Sequence, residues 1–279
     1  MALMLKPVRA SQGSRWIGDA LRLFARRPLA FTALALLPGA VAMLLPVLPL
    51  AIAALSLFSL PLLSLGFMVA AQSALLDGPV HMRQFIEPLR GSAVRRNALL
   101  KLCAGYVLLM VLAALLASSL SAGAFEQLQA LDRQSPDFSA KAEALAPELS
   151  RALGVMMLLY ALISVPYWHA PALVHWGGQG ARQALFSSTL ALWRTRGALL
   201  VYMLSWAGLM LAMFMVAAIF GSLFGTQQGP SIVVAFLAVA LTAALYAVFY
   251  ISALFCFNDT FGGAAAAATP PGEGPLPPG

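Results

Sequence analysis

Two long stretches without a single Asp, Glu, Lys or Arg, residues 28–76 and 197–258, constrain the fold of this chain most. An α-helix needs about 20 consecutive apolar residues to cross the hydrocarbon core of a bilayer. Each stretch therefore has room for a hairpin of two membrane-spanning helices. The 279-residue chain is 61% apolar and only 10% charged, whereas about 25% charged residues is usual in soluble domains. The sequence predicts an all-α integral membrane protein.

Six spans, arranged as three hairpins, account for the apolar pattern. They are predicted at residues 29–45, 50–76, 98–120, 154–174, 197–224 and 231–257. A polar insert at residues 123–153 holds five acidic and three basic residues and is predicted to form two short extramembrane helices. The membrane domain covers residues 14–261, and residues 1–13 and 262–279 are predicted to be disordered cytosolic tails. The predicted fold is a polytopic transmembrane helical bundle.

Three amphipathic segments, each preceding a hairpin, show apolar residues at helical spacing. The first begins at Ser14 and carries Trp16, Ile17, Ala20, Leu21 and Phe24. The second carries Met82, Phe85, Ile86 and Leu89. The third covers residues 181–193 and has on one side Leu185, Phe186, Thr189, Leu192 and Trp193. We predict three cytosolic interfacial helices that lie in the headgroup layer with their apolar faces in lipid.

Basic residues are unevenly distributed along the chain. Thirteen of the seventeen Lys and Arg residues lie before the first span, between the second and third, or between the fourth and fifth, and a fourteenth, Lys101, lies one turn inside the third span. The pairs next to the spans are Arg26 and Arg27, Arg95 and Arg96, and Arg194 and Arg196. Because cytosolic loops carry an excess of Lys and Arg, this distribution predicts a bacterial inner-membrane protein with both termini in the cytosol. It favours anionic headgroups as the partner and does not favour nucleic acid.

The basic clusters also mark an internal repeat. Arg27 and Arg96 are 69 residues apart, whereas Arg96 and Arg196 are 100 apart. The difference of 31 residues equals the length of the polar insert, so the repeats become equal when the insert is removed. Each unit would then consist of an amphipathic helix, a basic cluster and a helical hairpin. The sequence thus indicates a pseudo-threefold repeat around an axis normal to the membrane.

A cluster of aromatic and histidine residues lies at the end of the fourth span: Trp168, His169, His175 and Trp176. The two histidines are six residues apart and no neighbouring Cys or acid completes a metal-ligand set, so neither a metal nor a cofactor is predicted. No sequence motif indicates a catalytic residue either. We interpret these four residues, with Trp16 and Trp193, as membrane-interface anchors. Cys103 and Cys256 form no motif and are predicted to be buried.

Several sequence words resemble an uncharacterised family of bacterial six-span inner-membrane proteins. They are RWI at residues 15–17, FARRP at 24–28, GPV at 78–80, WHAPALV at 168–174, ALFSS at 184–188 and DTF at 259–261. The resemblance covers about residues 14–261 and implies the fold and the membrane location, but no catalytic residue. The stretch before Asp259 lacks the basic residue expected there, so a charged partner for that carboxylate is not predicted.

Three functions remain open at this point. The leading one is a non-enzymatic scaffold or interaction protein whose cytosolic amphipathic helices engage the membrane surface or a protein partner. The alternative is a transporter or lipid-handling protein, for which we expect a buried cavity lined by Pro38, Pro61 or Pro166. A membrane-embedded hydrolase would require His169 and His175 to converge with an acid such as Asp77 or Asp259.

Overall fold

The protein is described here by a computed structural model that covers residues 5–44, 50–121, 123–131, 135, 137–224 and 232–262. Side chains at 37, 41–44, 50–54, 220–224 and 232–235 are not part of this description. The turn predicted at residues 46–49 and the tail predicted after residue 262 lie outside it.

The described part of the chain folds into helices, in agreement with the predicted all-α class. The α-helices are α1 (Gln12–Arg26), α2 (Pro28–Leu44), α3 (Leu50–Leu75), α4 (Ala93–Leu120), α5 (Ala124–Ala130), α6 (Phe138–Tyr167), α7 (Ala170–His175), α8 (Ala181–Arg194), α9 (Arg196–Phe224) and α10 (Ile232–Phe261). Five of them, α3, α4, α6 with α7, α9 and α10, contain segments long and apolar enough to cross a membrane. The apolar α2 is shorter.

The first hairpin is held together at the end where the chain leaves α3. Asp77 adopts a positive φ of 56°, and the Gly78 N–H donates to the Ser73 carbonyl at 2.8 Å. The left-handed Asp77 and the hydrogen bond from Gly78 back to Ser73 form a helix-terminating motif. The Arg27 guanidinium donates to the carbonyl oxygens of Asp77 and Gly78. Arg27 therefore joins the beginning of α2 to the end of α3 in addition to its expected effect on topology.

Helix α1 packs inside the protein. Its apolar residues Trp16, Ile17, Ala20 and Leu23 are buried, and the helix lies against α9 and α10. A side chain at Gly13 would overlap the carbonyl oxygen of Ala198, so the two backbones are in direct contact. We expected lipid to cover this apolar face, and that expectation was wrong because α9 and α10 cover it.

The second amphipathic segment is not an α-helix as predicted. It forms two short 3-10 turns, Met82–Phe85 and Glu87–Arg90, with Pro88 inside the second. Proline lacks a backbone N–H and disfavours α-helical geometry in the preceding residue, so a continuous helix cannot run through this position. Only part of the predicted face is covered, because Phe85 packs against the core while Ile86 is exposed.

The polar insert differs from the prediction at its second helix. A first short helix, α5, forms as expected, but α6 begins at Phe138 and continues through Gly154 into the fourth span. Residues 139–153 are rich in Ala and Leu and contain two Glu and one Lys, all strong helix formers, and the helix continues through Pro147 to the membrane boundary. Arg151 Nη2 donates to the Leu120 carbonyl at 3.1 Å, which joins this part of α6 to the end of α4.

Each of the three segments that precede a hairpin packs on a helix of a different hairpin. Helix α1 contacts α10, the turn Met82–Phe85 contacts α3, and α8 contacts α6 and α7. The segment before α1 is also attached to the bundle, because the Lys6 N–H donates to the Thr260 carbonyl and Leu5 packs on the core. Leu5 and Lys6 therefore contact the bundle, although they belong to the segment 1–13 for which a disordered tail is predicted.

Candidate functional site

A buried polar cluster lies where α1, the junction of α6 and α7, α8 and α10 meet. The Trp16 indole N–H donates to the Asp259 carboxylate at 2.8 Å. Asp259 thus has a neutral donor as its partner, which agrees with the missing basic residue before it. The contact fixes the first helix against the end of the last one.

His169 is the most enclosed member of this cluster, with 0% of its surface exposed. Its ring nitrogen Nε2 lies 3.6 Å from Cys256 Sγ, and its Nδ1 has no hydrogen-bond partner among the described residues. The His169 backbone N–H donates to Ser188 Oγ at 3.0 Å, and this hydroxyl donates to the Val165 carbonyl. Ser188 of α8 therefore satisfies backbone groups that are left open where α6 ends.

The helix break at this junction follows from Pro171. The proline stands in the first turn of α7, where its missing N–H costs no hydrogen bond. Proline disfavours α-helical geometry in the residue before it, and here the chain turns at Trp168 and His169, which places the histidine in the interior. Pro166, in contrast, lies within α6.

A second feature is a cleft of about 130 Å³ between α3, α4, α6 and α10. We call it the tyrosine cleft, after the four tyrosines that line it together with Pro61, Ser64, Ser164 and Trp168: Tyr106, Tyr160, Tyr167 and Tyr250. The rings of Tyr106 and Tyr167 meet edge to face with centroids 5.1 Å apart. The six tyrosines of the chain all lie in helices, and four of them converge on this one place.

Of the residues that line this cleft, only Pro61 was expected from the sequence to line a cavity, and Trp168 was interpreted as an interface anchor. The four tyrosines are separated by up to 144 positions along the chain, from 106 to 250, and their meeting depends on how α4, α6 and α10 pack. The tyrosines carry hydroxyl groups within otherwise apolar spans, and this could have marked them in the sequence. Polar groups are costly inside a membrane, so those that occur there are candidates for a function.

The sequence is similar along almost its whole length to a probable inner membrane protein of Burkholderia thailandensis. The two are 30% identical over 264 residues, which is 92% of this chain and 94% of the relative. This chain belongs to the same family. It is a multi-pass protein of the bacterial inner membrane, as the resemblance predicted. No family model matches the chain, and no solved structure matches it.

For this inner-membrane protein, the structure separates the predicted interface residues into two groups. Trp16 and His169 are buried in the protein, while Trp168, His175 and Trp176 are half-buried and make aromatic contacts. Trp168 packs edge to face on Phe249, and Trp176 packs on Phe257 with centroids 5.4 Å apart. Protein side chains, rather than the lipid we expected, therefore make these contacts.

The second group remains on the surface. Trp193 is 69% exposed, and the Arg196 guanidinium lies 5.4 Å from the centroid of its ring. Arg26, Arg96 and Arg194 are exposed too, whereas Arg95 is half-buried. For these surface residues, the role as interface or topology determinants stays a prediction.

The two histidines do not form a site with an acid. His169 contacts Cys256, Phe257 and Phe261, and His175 contacts the Trp176 ring. The Asp259 carboxylate is bonded to Trp16 instead. Within the described residues, no three His, Cys, Asp or Glu side chains are close enough to hold a metal ion. The geometry gives no support to the hydrolase alternative.

Proposed function

We propose that this protein is a non-enzymatic scaffold or interaction protein of the inner membrane that engages anionic headgroups through helix α8. One observation carries the proposal: α8 exposes an aromatic face to its surroundings. Phe186 is 69% exposed, Leu190 39% and Trp193 69%. Large apolar side chains exposed together on one helix face mark an interaction surface or a membrane contact.

The exposed residues occupy one side of α8. At about 100° per residue, Leu190 and Trp193 lie within roughly 40° of Phe186 around the helix axis. The buried residues Ala184, Ser188 and Ala191 lie on the opposite side and face α6 and α7. Helix α8 thus turns these small residues and Leu192 toward the protein, whereas its aromatic residues Phe186 and Trp193 face away from it.

The charges around this face favour lipid headgroups as its occupant. Arg182 lies one turn before Phe186 on the same side, and Arg194 and Arg196 flank Trp193. All three arginines are exposed. A basic residue close to an anionic membrane surface contributes about 1 kcal/mol to the attraction. An aromatic face flanked by arginines matches the apolar and anionic layers of an inner leaflet.

We further propose six spans with both termini in the cytosol. The sixth span would be α2, an apolar helix of 17 residues that begins next to Arg26 and Arg27. Its length of about 25 Å is near the lower limit for a crossing. Contacts between α1 and α10, between Arg27 and Gly78, and between α7 and α8 support a single basic end of the bundle.

A pseudo-threefold arrangement is part of this proposal. It is supported by the packing of each segment before a hairpin on the second helix of another hairpin: α1 on α10, Met82–Phe85 on α3, and α8 on α6. The second unit departs from the other two because Pro88 replaces its helix by 3-10 turns.

Purification of the tagged full-length protein in mild detergent, followed by identification of bound lipids and proteins, tests the proposed function. We expect enrichment of anionic phospholipid over its share of the membrane, and loss of that enrichment in a Phe186→Ser, Trp193→Ser double variant. A matched pair of substitutions on the exposed side of α9, Leu200→Ser with Leu204→Ser, should retain it. If a stoichiometric protein partner binds in place of lipid and is lost in the α8 variant, headgroup engagement is contradicted.

A second candidate function, lipid handling, is favoured by the tyrosine cleft. Pro61 lines this cleft, whereas Pro38 and Pro166 do not.

A further inference from the structure

The tyrosine cleft holds hydroxyl groups that the protein itself does not use. The hydroxyls of Tyr106, Tyr160 and Tyr167 make no hydrogen bond to any described residue. All three residues line the cleft, and the hydroxyls of Tyr106 and Tyr167 are not among the fully enclosed polar atoms that lack a partner. A hydroxyl left without a partner in an apolar medium costs several kcal/mol. The cleft is therefore suited to a ligand that accepts hydrogen bonds.

The lining of the cleft defines the rest of the ligand. None of the described residues that form it carries a formal charge, so the group held there is uncharged. Aromatic rings make up much of its surface, among them Trp168 and Phe249, whose centroids are 5.7 Å apart. Planar rings stack well against such walls. The volume of about 130 Å³ is somewhat less than the roughly 150 Å³ of an enclosed cavity that holds one benzene molecule, but the cleft is open on one side, so a single six-membered ring fits with its substituents extending out of it.

The position of the cleft indicates where the ligand comes from. Tyr160 lines the cleft from within the fourth predicted span and is 46% exposed, so the cleft opens to the surroundings of that span at this side chain. Tyr106 lies ten residues after Arg96 in α4, which places it about 15 Å along the helix from that basic residue. The ester groups of a phospholipid remain near the headgroups and do not reach this depth. A ring with an apolar tail can.

We propose that the tyrosine cleft binds the head of a lipid-soluble quinone. Its two carbonyl oxygens accept hydrogen bonds from the tyrosine hydroxyls, its ring packs between the aromatic side chains, and its apolar tail extends into the bilayer. The proposal concerns binding, with no electron transfer, and it does not depend on membrane-surface engagement by α8.

The test is a titration of the full-length protein, in nanodiscs of phosphatidylcholine, with a benzoquinone that carries a decyl tail. Quinones quench tryptophan fluorescence, and Trp168 lines the cleft. We expect a saturable quenching component above the linear background from quinone dissolved in the bilayer. Tyr106→Phe with Tyr160→Phe removes two donors and keeps both rings, and should weaken binding about tenfold. Ala253→Leu, which fills the cleft, should abolish the saturable component.

Tyr202→Phe is the matched control. The Tyr202 hydroxyl is bonded to Ser252 Oγ at 2.7 Å and lies outside the cleft, so this variant should bind quinone like the wild type. Quenching that stays linear in the wild type overturns the proposal. Saturable quenching that is unchanged by the Tyr106 and Tyr160 substitutions overturns it too, even if Ala253→Leu does not fold. Recovery of diacylglycerol but no quinone with the purified protein would assign the cleft to glycerolipid and contradict the quinone.

Discussion

The Trp16 indole N–H and the Asp259 carboxylate are 2.8 Å apart and connect α1 to the end of α10 across 243 positions of the sequence. Both residues belong to sequence words that the family resemblance singled out. The contact gives both sequence words a structural role, because it attaches the first helix of the bundle to the last one.

Removing this contact should destabilise the protein. Trp16→Phe keeps an aromatic side chain in the buried position but leaves the carboxylate without its donor. We expect a loss of about 1.5–3 kcal/mol in the free energy of unfolding, since hydrogen bonds to charged groups fall in that range. Thermal unfolding in detergent measures the change. Trp193→Phe, the same substitution at an exposed position, should leave the transition unaltered, and equal shifts in the two variants would refute the role of the Asp259 contact.

A substitution at Gly13 tests how closely α1 packs against α9. Gly13→Ala places a Cβ against the Ala198 carbonyl, so the helices must separate, at a cost of about 1–3 kcal/mol. A Cβ at Gly18 of the same helix meets nothing within 4 Å. Gly18→Ala should therefore be neutral or stabilising, since alanine favours helix more than glycine does. If α1 instead lay free in the headgroup layer, both alanine variants would unfold at or above the wild-type temperature.

Ser188 should matter more than its neighbour Ser187. Ser188→Ala removes the acceptor of the His169 backbone N–H at the break between α6 and α7, which should destabilise the fold by about 1–3 kcal/mol. Ser187→Ala changes the same kind of residue one position earlier, where no hydrogen bond of the side chain is seen within the described structure. Chemical denaturation of the two variants should separate them, and a Ser188→Ala protein as stable as Ser187→Ala would disprove the bridging role.

The proposed orientation predicts which cysteine substitutions can be labelled from outside intact spheroplasts. Lys141→Cys in the insert should react with a membrane-impermeant maleimide, whereas Gln183→Cys in α8 should react only after the cells are opened. The two native cysteines, Cys103 and Cys256, are buried and should give little background. Labelling of Gln183→Cys in intact spheroplasts would contradict the proposed orientation.

Five of the six predicted spans correspond to helices long and apolar enough to cross a membrane, because an apolar run of sufficient length leaves a chain few alternatives there. Helices α9 and α10 begin within one residue of the predicted starts, which is within the usual scatter in helix boundaries, whereas α4 begins five residues earlier than predicted. Cys103 and Cys256 are buried, as predicted.

What covers an apolar face could not be predicted in the same way. Amphipathic spacing shows that a helix has an apolar side, but the same pattern suits lipid and protein. In α1 protein covers the side that carries Trp16, whereas in α8 Phe186 and Trp193 are exposed and the small residues are packed. Leu192, expected on the lipid side of α8, is buried. The tyrosine cleft could not be predicted from the sequence either, because it forms only when four helices pack together.

The depth of residue 186 in the bilayer shows whether the exposed face of α8 lies in the headgroup layer. A fluorophore attached to Phe186→Cys in nanodiscs that contain anionic lipid should be quenched by lipids spin-labelled near the headgroup and shielded from aqueous iodide. The same probe on Lys141→Cys should show the opposite pattern. If the probe at residue 186 is quenched by iodide as strongly as the one at residue 141, and is not quenched by the spin-labelled lipid, the proposed engagement of the membrane surface is contradicted.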